Sequence, residues 1–286
     1  PIVINKKLIY VTPDWKIVAL DGVTGKKIWD IDSLFQPSRR GIVAYINEKN
    51  EEYLFVPVGG RIYKINAKNG KLVKFFGNNG SISSLTIVAP MVYNDSLVSV
   101  SIMRSVDVFD INSGIKQFCI SVHGERNFSG GAPWGGAALD KTKEIVYIVT
   151  GNPLPSLYGV NRPGENKNTS SIVAFDLKKR NILWAFQDVN HDLWDYDIAS
   201  PPIIHNLEIE GKLFETVIAL TKTGNVILLD RNNGKPIFDL RYRKAPISDV
   251  PNEITSKYQL DLEKPEKFSK VDFDKNDIDK LSSEKI

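Results

Sequence analysis

One hairpin unit closed by an aromatic residue returns five times along the 286 residues of this chain. It reads IVALDGVTGKKIW to Trp29, IYKINAKNGKLVKFF with Phe75 in the closing place, VDVFDINSGIKQF to Phe118, IVAFDLKKRNILW to Trp184 and VILLDRNNGKPIF to Phe238. Each copy is an apolar strand, an Asp or Asn, a turn, and a short strand ending in the aromatic. Gly25, Gly70, Gly114 and Gly234 supply the positive φ that such a turn needs, while the fourth copy has Arg180-Asn181 there, a weaker turn. The aromatics stand 46, 43, 66 and 54 residues apart. A unit of that size built from short strands predicts the blades of a β-propeller. The strands alternate or run continuously apolar in Ile, Val, Tyr and Phe, and no long helical periodicity occurs. A β-sandwich with similar hairpins is the alternative, and five copies of one unit favour the propeller.

The propeller pattern covers residues 1–246. The remainder, 247–286, is highly charged and nearly free of strand pattern. It is expected to be a solvated insert or tail, extended, with a short helix near 272–282. Hydrophobic residues make up 42% of the chain, enough for a substantial core. The net charge of +3, with Lys and Arg scattered, argues against nucleic acid or a membrane surface as partner. The single cysteine, Cys119, excludes an internal disulfide and a multi-cysteine metal site; within FCISV it reads as a buried thiol. No apolar run is long enough to span a bilayer. The chain opens at Pro1 inside a strand-like pattern, so we expect a middle portion of a longer protein.

The chemically unusual residues fall in the two longer intervals, where insertions of a repeat protein tend to gather on one face. In GGAPWGGAALD, Trp134 has glycines on both sides, which would leave an indole face free to stack on a flat ligand; a core Trp in a tight bend is as compatible with the composition. In YIVTGNPLP, Asn152 offers an amide oxygen, a hard donor suited to Ca2+, although an Asn simply making the turn is commoner. HDLWDYDIASPP crowds Asp192, Asp195 and Asp197 beside His191 and Trp194. In TKTGNVILLD, Lys222 follows an apolar strand, where it could reach into a cavity or sit solvated in a turn.

Taken in order, these motifs resemble the active-site half of the pyrroloquinoline quinone (PQQ)-dependent alcohol and glucose dehydrogenases, and ALDGVTGKKIW resembles that family's tryptophan-docking motif. LYGVNRPGEN and RKAPISDVPNE look like the glucose dehydrogenase branch. The resemblance implies an all-β, partial propeller of about five of eight blades locked by docking repeats. It implies PQQ and Ca2+ as cofactors, with Trp134 as the stacking floor, Asn152 as a metal ligand, Asp195 as general base and Lys222 on the quinone oxygens. Asp197 is then a second metal or substrate ligand and the fallback base. Asp192 would orient backbone groups, and His191 would be a hydrogen-bonding neighbour. The implied partners are a sugar, polyol or alcohol substrate and an electron acceptor such as ubiquinone or cytochrome c. The implied location is the periplasm, with inner-membrane attachment of a full-length parent as an option.

Three departures stand out. The stretch LVSVSIMRSVDVFD has no acid in the loop where the family supplies a further Ca2+ ligand. TPDW puts Asp14 where the glucose dehydrogenase branch has a His, and the paired cysteines of alcohol-oxidising members are absent, which leans the substrate towards a sugar or polyol. The competing expectation is a non-catalytic scaffold, as in outer-membrane assembly factors that share the docking repeat but need none of Trp134, Asn152, Asp195 and Lys222.

Overall fold

The computed structural model describes residues 1–34, 36–122 and 129–269. The helix expected near 272–282 lies outside the described residues. Among the described residues five antiparallel blade sheets follow one another along the chain, each running up and down, with two small two-stranded sheets beside them, Ser129–Gly130 with Pro153–Leu154 and Tyr242–Lys244 with Tyr258–Leu260. Blade one comprises Ile2–Ile4, Lys7–Val11, Ile17–Asp21 and Lys27–Ile31. Blade two comprises Val43–Ile46, Glu52–Val58, Arg61–Asn66 and Ser81–Ser83. Blade three comprises Met91–Tyr93, Ser96–Ser101, Ser105–Asp110 and Lys116–Ser121. Blade four comprises Ala137–Asp140, Ile145–Val149, Ser171–Asp176 and Asn181–Gln187. Blade five has three strands, Ile203–Ile209, Lys212–Leu220 and Val226–Asp230, and a single bridge from Leu229 to Pro236 where a fourth would run. The chain is a partial β-propeller of five blades.

The repeated Asp has a local purpose. Asp21 Oδ1 accepts from the backbone of Val23 and Thr24 and from the Thr24 hydroxyl, and Asp110 Oδ1 accepts from Asn112, Ser113 and the Ser113 hydroxyl. The side chain thereby closes the turn that the following glycine completes. The repeated aromatic crosses to the next blade. Trp29 packs on the turn of blade two, where a Cβ on Gly70 would lie 3.0 Å from the indole, and its Nε1 donates to Ala67 O at 3.1 Å. Between blades three and four, Phe118 meets Arg180, whose guanidinium lies 4.4 Å from the ring centroid. Arg180 takes φ +58°, so the glycine missing from the fourth copy is replaced by a strained residue that covers its neighbour.

Two sequence expectations are corrected. Phe75 is 76% exposed, and Phe76 is the buried aromatic of the second copy. An extra residue separates that copy's glycine from its aromatics, and the chain turns over Val73–Phe76 (Phe76 N to Val73 O, 3.0 Å), which aims the later ring inwards. Cys119 is exposed, because alternation along the outermost strand of blade three points Ile120 in and Cys119 out.

The stretch after residue 246 carries one short strand, Tyr258–Leu260, paired to Tyr242–Lys244, and is otherwise irregular as far as 269. It differs from a solvated tail in what it buries. Leu260 and Leu262 join the core of blades four and five, Gln259 exchanges hydrogen bonds with the backbone of Asn190, and Glu253 accepts from the backbone of Gly159.

Candidate active site

Up-and-down topology brings every other inter-strand connection to one face. On that face lie Trp134 ahead of blade four, Asn152 after its second strand, the acid loop between blades four and five, and the 221–225 turn. The 12–16 turn of blade one and the 32–42 connection to blade two share it. Three glycines let the parts approach. Side chains on Gly135 and Gly136 would strike Ile198 O and Pro201, and one on Gly151 would strike Asp197 and lie 2.8 Å from Trp134 Nε1.

Asp197 is the hub. It is buried, its Oδ1 accepts from Trp134 Nε1 at 3.1 Å and from Asn152 N at 2.8 Å, and its Oδ2 accepts from Lys222 Nζ at 2.8 Å. Burial alone would raise its pKa; the Lys222 ammonium and the two N–H donors outweigh burial and hold the carboxyl below the ordinary range. Lys222 also donates to Asp195 O at 2.8 Å and to Asp195 Oδ2 at 3.2 Å. Burial pulls the Lys222 pKa down, but the two carboxylates prevail and raise it, so the group is a fixed cation. Asp195 stands apart: its side chain is 52% exposed, and its Oδ1 has no partner among the described residues.

The loop between them is held from below. Asp192 is fully buried; its Oδ1 accepts from Trp194 N at 2.8 Å and its Oδ2 from Tyr196 N at 2.7 Å and Ser170 Oγ at 3.1 Å. Burial raises its pKa despite those donors. The ring so formed leaves Asp195 at its tip with φ +62°, a conformation uncommon for a non-glycine residue. His191 shares Nδ1 with Gly164 O at 2.7 Å. Trp194 packs on Tyr196, ring centroids 6.0 Å apart.

The structure therefore gathers Trp134, Asn152, Asp195, Asp197 and Lys222 into one cluster. It adds residues that sequence reasoning did not single out. Arg162, 1% exposed, donates to Pro155 O, Ser156 O, Asn166 Oδ1 and Asp192 O, welding LYGVNRPGEN to the acid loop. Arg40, from the connection between blades one and two, lies over the Trp134 ring at 4.7 Å. Its neighbour Arg39 lies over Trp15 at 3.7 Å. No local pattern marks Arg40; only the arrangement of the blades brings it to Trp134.

The residues present suit a hard cation in kind, since the two carboxylates and the Asn152 carboxamide offer oxygen donors. The donor set is small, and no group of three or more His, Cys, Asp or Glu positioned to hold a metal ion occurs among the described residues. For a flat anionic ligand the indole of Trp134 and the guanidinium of Arg40 form a ready platform.

The family model described as glucose/ethanol/alcohol dehydrogenase, β-propeller domain, matches residues 1–102 and 109–285, and the chain belongs to that family. It is 28% identical over 304 residues to the quinoprotein glucose dehydrogenase of Escherichia coli strain K12, covering 88% of this chain and 37% of that protein. The chain thus spans well under half of that relative's length. Among solved structures, it superposes on the quinohemoprotein alcohol dehydrogenase of Comamonas testosteroni with TM-score 0.66 at 22% identity, over 83% of this chain and 42% of that one. BamB of Moraxella catarrhalis shares the fold at TM-score 0.52 and 12% identity, over 82% of this chain and 57% of that one.

Proposed function

We propose that this chain carries the cofactor-binding and catalytic part of a PQQ-dependent dehydrogenase that oxidises a hydroxyl of a sugar, polyol or alcohol. The observation that carries the reading is the juxtaposition of an indole floor, a fixed cation and a half-exposed carboxylate with one oxygen unpaired among the described residues, around the buried Asp197. Trp134 would stack against the quinone and Arg40 would face its acidic groups. Asn152, Asp197 and Asp195 would hold Ca2+. When bound, the quinone supplies a carbonyl carbon that accepts hydride, and the cation polarises its oxygen. Asp195 takes the hydroxyl proton as hydride leaves the same substrate carbon, which becomes a carbonyl. Asp197 is engaged at both oxygens, which favours Asp195 as the base. The Lys222 ammonium stabilises the negative charge that develops next to it. A quinone such as ubiquinone, or cytochrome c, would then take the electrons.

The shared fold of BamB supports a second reading, a scaffold that binds other proteins. Such a scaffold has no use for a fixed cation shared by a buried and a half-exposed acid beside an indole. Dye reduction by the full-length protein, supplied with PQQ and Ca2+ and a panel of sugars and alcohols, separates the two. Turnover with at least one hydroxyl substrate is expected. Neither PQQ binding nor dye reduction with any of them would leave the scaffold.

A further inference from the structure

We propose that Asp188 is a positioning residue: it braces the 221–225 turn against the acid loop and so aims Lys222 at Asp195 and Asp197. Thr221, Thr223 and Asn225 are the residues of that turn whose side chains tie it to the interior. Thr223 Oγ1 donates to Asp188 Oδ2 at 3.0 Å, Asn225 Nδ2 donates to Asp188 Oδ1 at 3.1 Å, and Thr221 Oγ1 shares a hydrogen with Thr223 Oγ1 at 2.6 Å. The turn itself is tight, with Gly224 N donating to Thr221 O at 3.0 Å and Thr221 N to Asn225 O at 3.2 Å. Lys222 is left to project to the opposite side, onto both acids.

Asp188 belongs to the facing loop. It follows the outer strand of blade four, and its N–H donates to Ser170 O at 2.9 Å. Ser170 in turn donates to Asp192, the residue that shapes the acid loop. One hydrogen-bonded frame therefore links the base of the acid loop to the base of the lysine turn. The carboxyl of Asp188 is 3% exposed, and the side chains bonded to it are neutral. Burying a carboxyl without a cation is costly, and an apolar residue would fill the space more cheaply. What an apolar residue cannot do is take one donor on each oxygen and hold two loops in register.

The effect on turnover rests on the function proposed above; the brace itself does not. Asp188→Ala removes it, whereas Asp188→Asn keeps an acceptor for Asn225 and offers Thr223 a donor. Val189→Ala, at an equally buried neighbour, is the control for lost packing. The first readout needs no cofactor: the acylation rate of the Lys222 amine in the full-length protein, followed by mass spectrometry. Asp188→Ala should expose Lys222 and label it several-fold faster, with Asp188→Asn and Val189→Ala at the wild-type rate. Thr223→Val, which removes one brace bond at nearly constant shape, should raise the rate less and serves if Asp188→Ala does not fold. The second readout is kinetic: in Asp188→Ala, kcat should fall about tenfold with KM little changed, as for a displaced catalytic group. Wild-type labelling of Lys222 in both Asp188→Ala and Thr223→Val, or an equal rise in Val189→Ala, overturns the proposal. Release of Lys222 in a protein that binds no PQQ supports the brace and removes the function.

Discussion

The seam between blades four and five and the seam between blades two and three solve one problem differently. In the first, the Trp184 indole lies on the turn of blade five, where a Cβ on Gly234 would come within 2.6 Å of it, and its Nε1 donates to Arg231 O at 3.2 Å. In the second, the apolar ring of Phe76 takes the place against Gly114, and it has no polar hydrogen to give. The donor there is Lys64, whose Nζ reaches Ile111 O at 2.9 Å. Arg231 and Ile111 each directly follow the repeat Asp, so the carbonyl is the same one. Ala174, opposite Trp184 in the sheet, and Lys64 both stand two residues before the repeat Asp or Asn. At both of these seams a flat group covers the turn and the carbonyl after the repeat Asp accepts a hydrogen bond. At the four–five seam the Trp184 indole covers the turn and donates to Arg231 O, which also accepts from Tyr147 Oη at 2.9 Å; at the two–three seam Phe76 covers the turn and Lys64 donates. The second arrangement buries a cation, cushioned by the rings of Tyr53 at 4.3 Å, Phe76 at 5.5 Å and Phe55 at 5.6 Å.

The largest expected effect is on the tryptophan seam. Trp184→Ala removes the stacking and one of the two donors to Arg231 O and should cost about 3 kcal/mol of unfolding free energy by urea titration. A loss below 1 kcal/mol, or roughly that, would mean the indole is not what joins the blades. The lysine seam should instead show in pH dependence. Burial pushes the Lys64 pKa down to about 8, against 10.5 for an ordinary lysine. Between those values the unfolded chain binds more protons than the folded one, so this group makes stability rise with pH. Relative to Lys64→Met, the wild type should gain about 2 kcal/mol between about pH 7 and pH 9.5. Parallel pH profiles for the two proteins would show that the cation is not buried as described. A pair of glycines separates turn strain from docking. Gly25 and Gly234 both take positive φ, +69° and +71°, yet a Cβ on Gly25 meets nothing within 4 Å. Gly25→Ala should cost about 1 kcal/mol and Gly234→Ala roughly 2 kcal/mol more. Equal costs would deny the contact.

The same contrast explains what was legible in the sequence. Blades and docking tryptophans were legible because each copy repeats its turn chemistry within about a dozen residues. The second copy misled because one added residue turned Phe75 out and Phe76 in, and periodicity alone does not register a slip of one. Cys119 misled because an apolar run on an outermost strand still has an outward side. At the site, the crowded acids marked the loop, and the family resemblance pointed to Asp192 as a residue that orients its backbone. The partition between an Asp197 engaged at both oxygens and an Asp195 engaged at one depends on Gly151, Trp134 and Lys222, each on another segment. Arg40 and Asp188 act across blades and loops, and no short window of sequence holds both partners of either contact.

The division of labour between the two acids is the centre of the functional account, and one comparison tests it most directly. PQQ binding and dye reduction would be measured side by side for Asp195→Asn and Asp197→Asn in the full-length protein with Ca2+. Asp195→Asn should bind PQQ as the wild type does while turnover falls by about 10^3, the loss of a general base. Asp197→Asn should weaken PQQ binding itself, because Trp134, Asn152 and Lys222 lose their common partner. An Asp195→Asn protein that turns over normally, or an Asp197→Asn protein that binds PQQ fully yet is inactive, would contradict it.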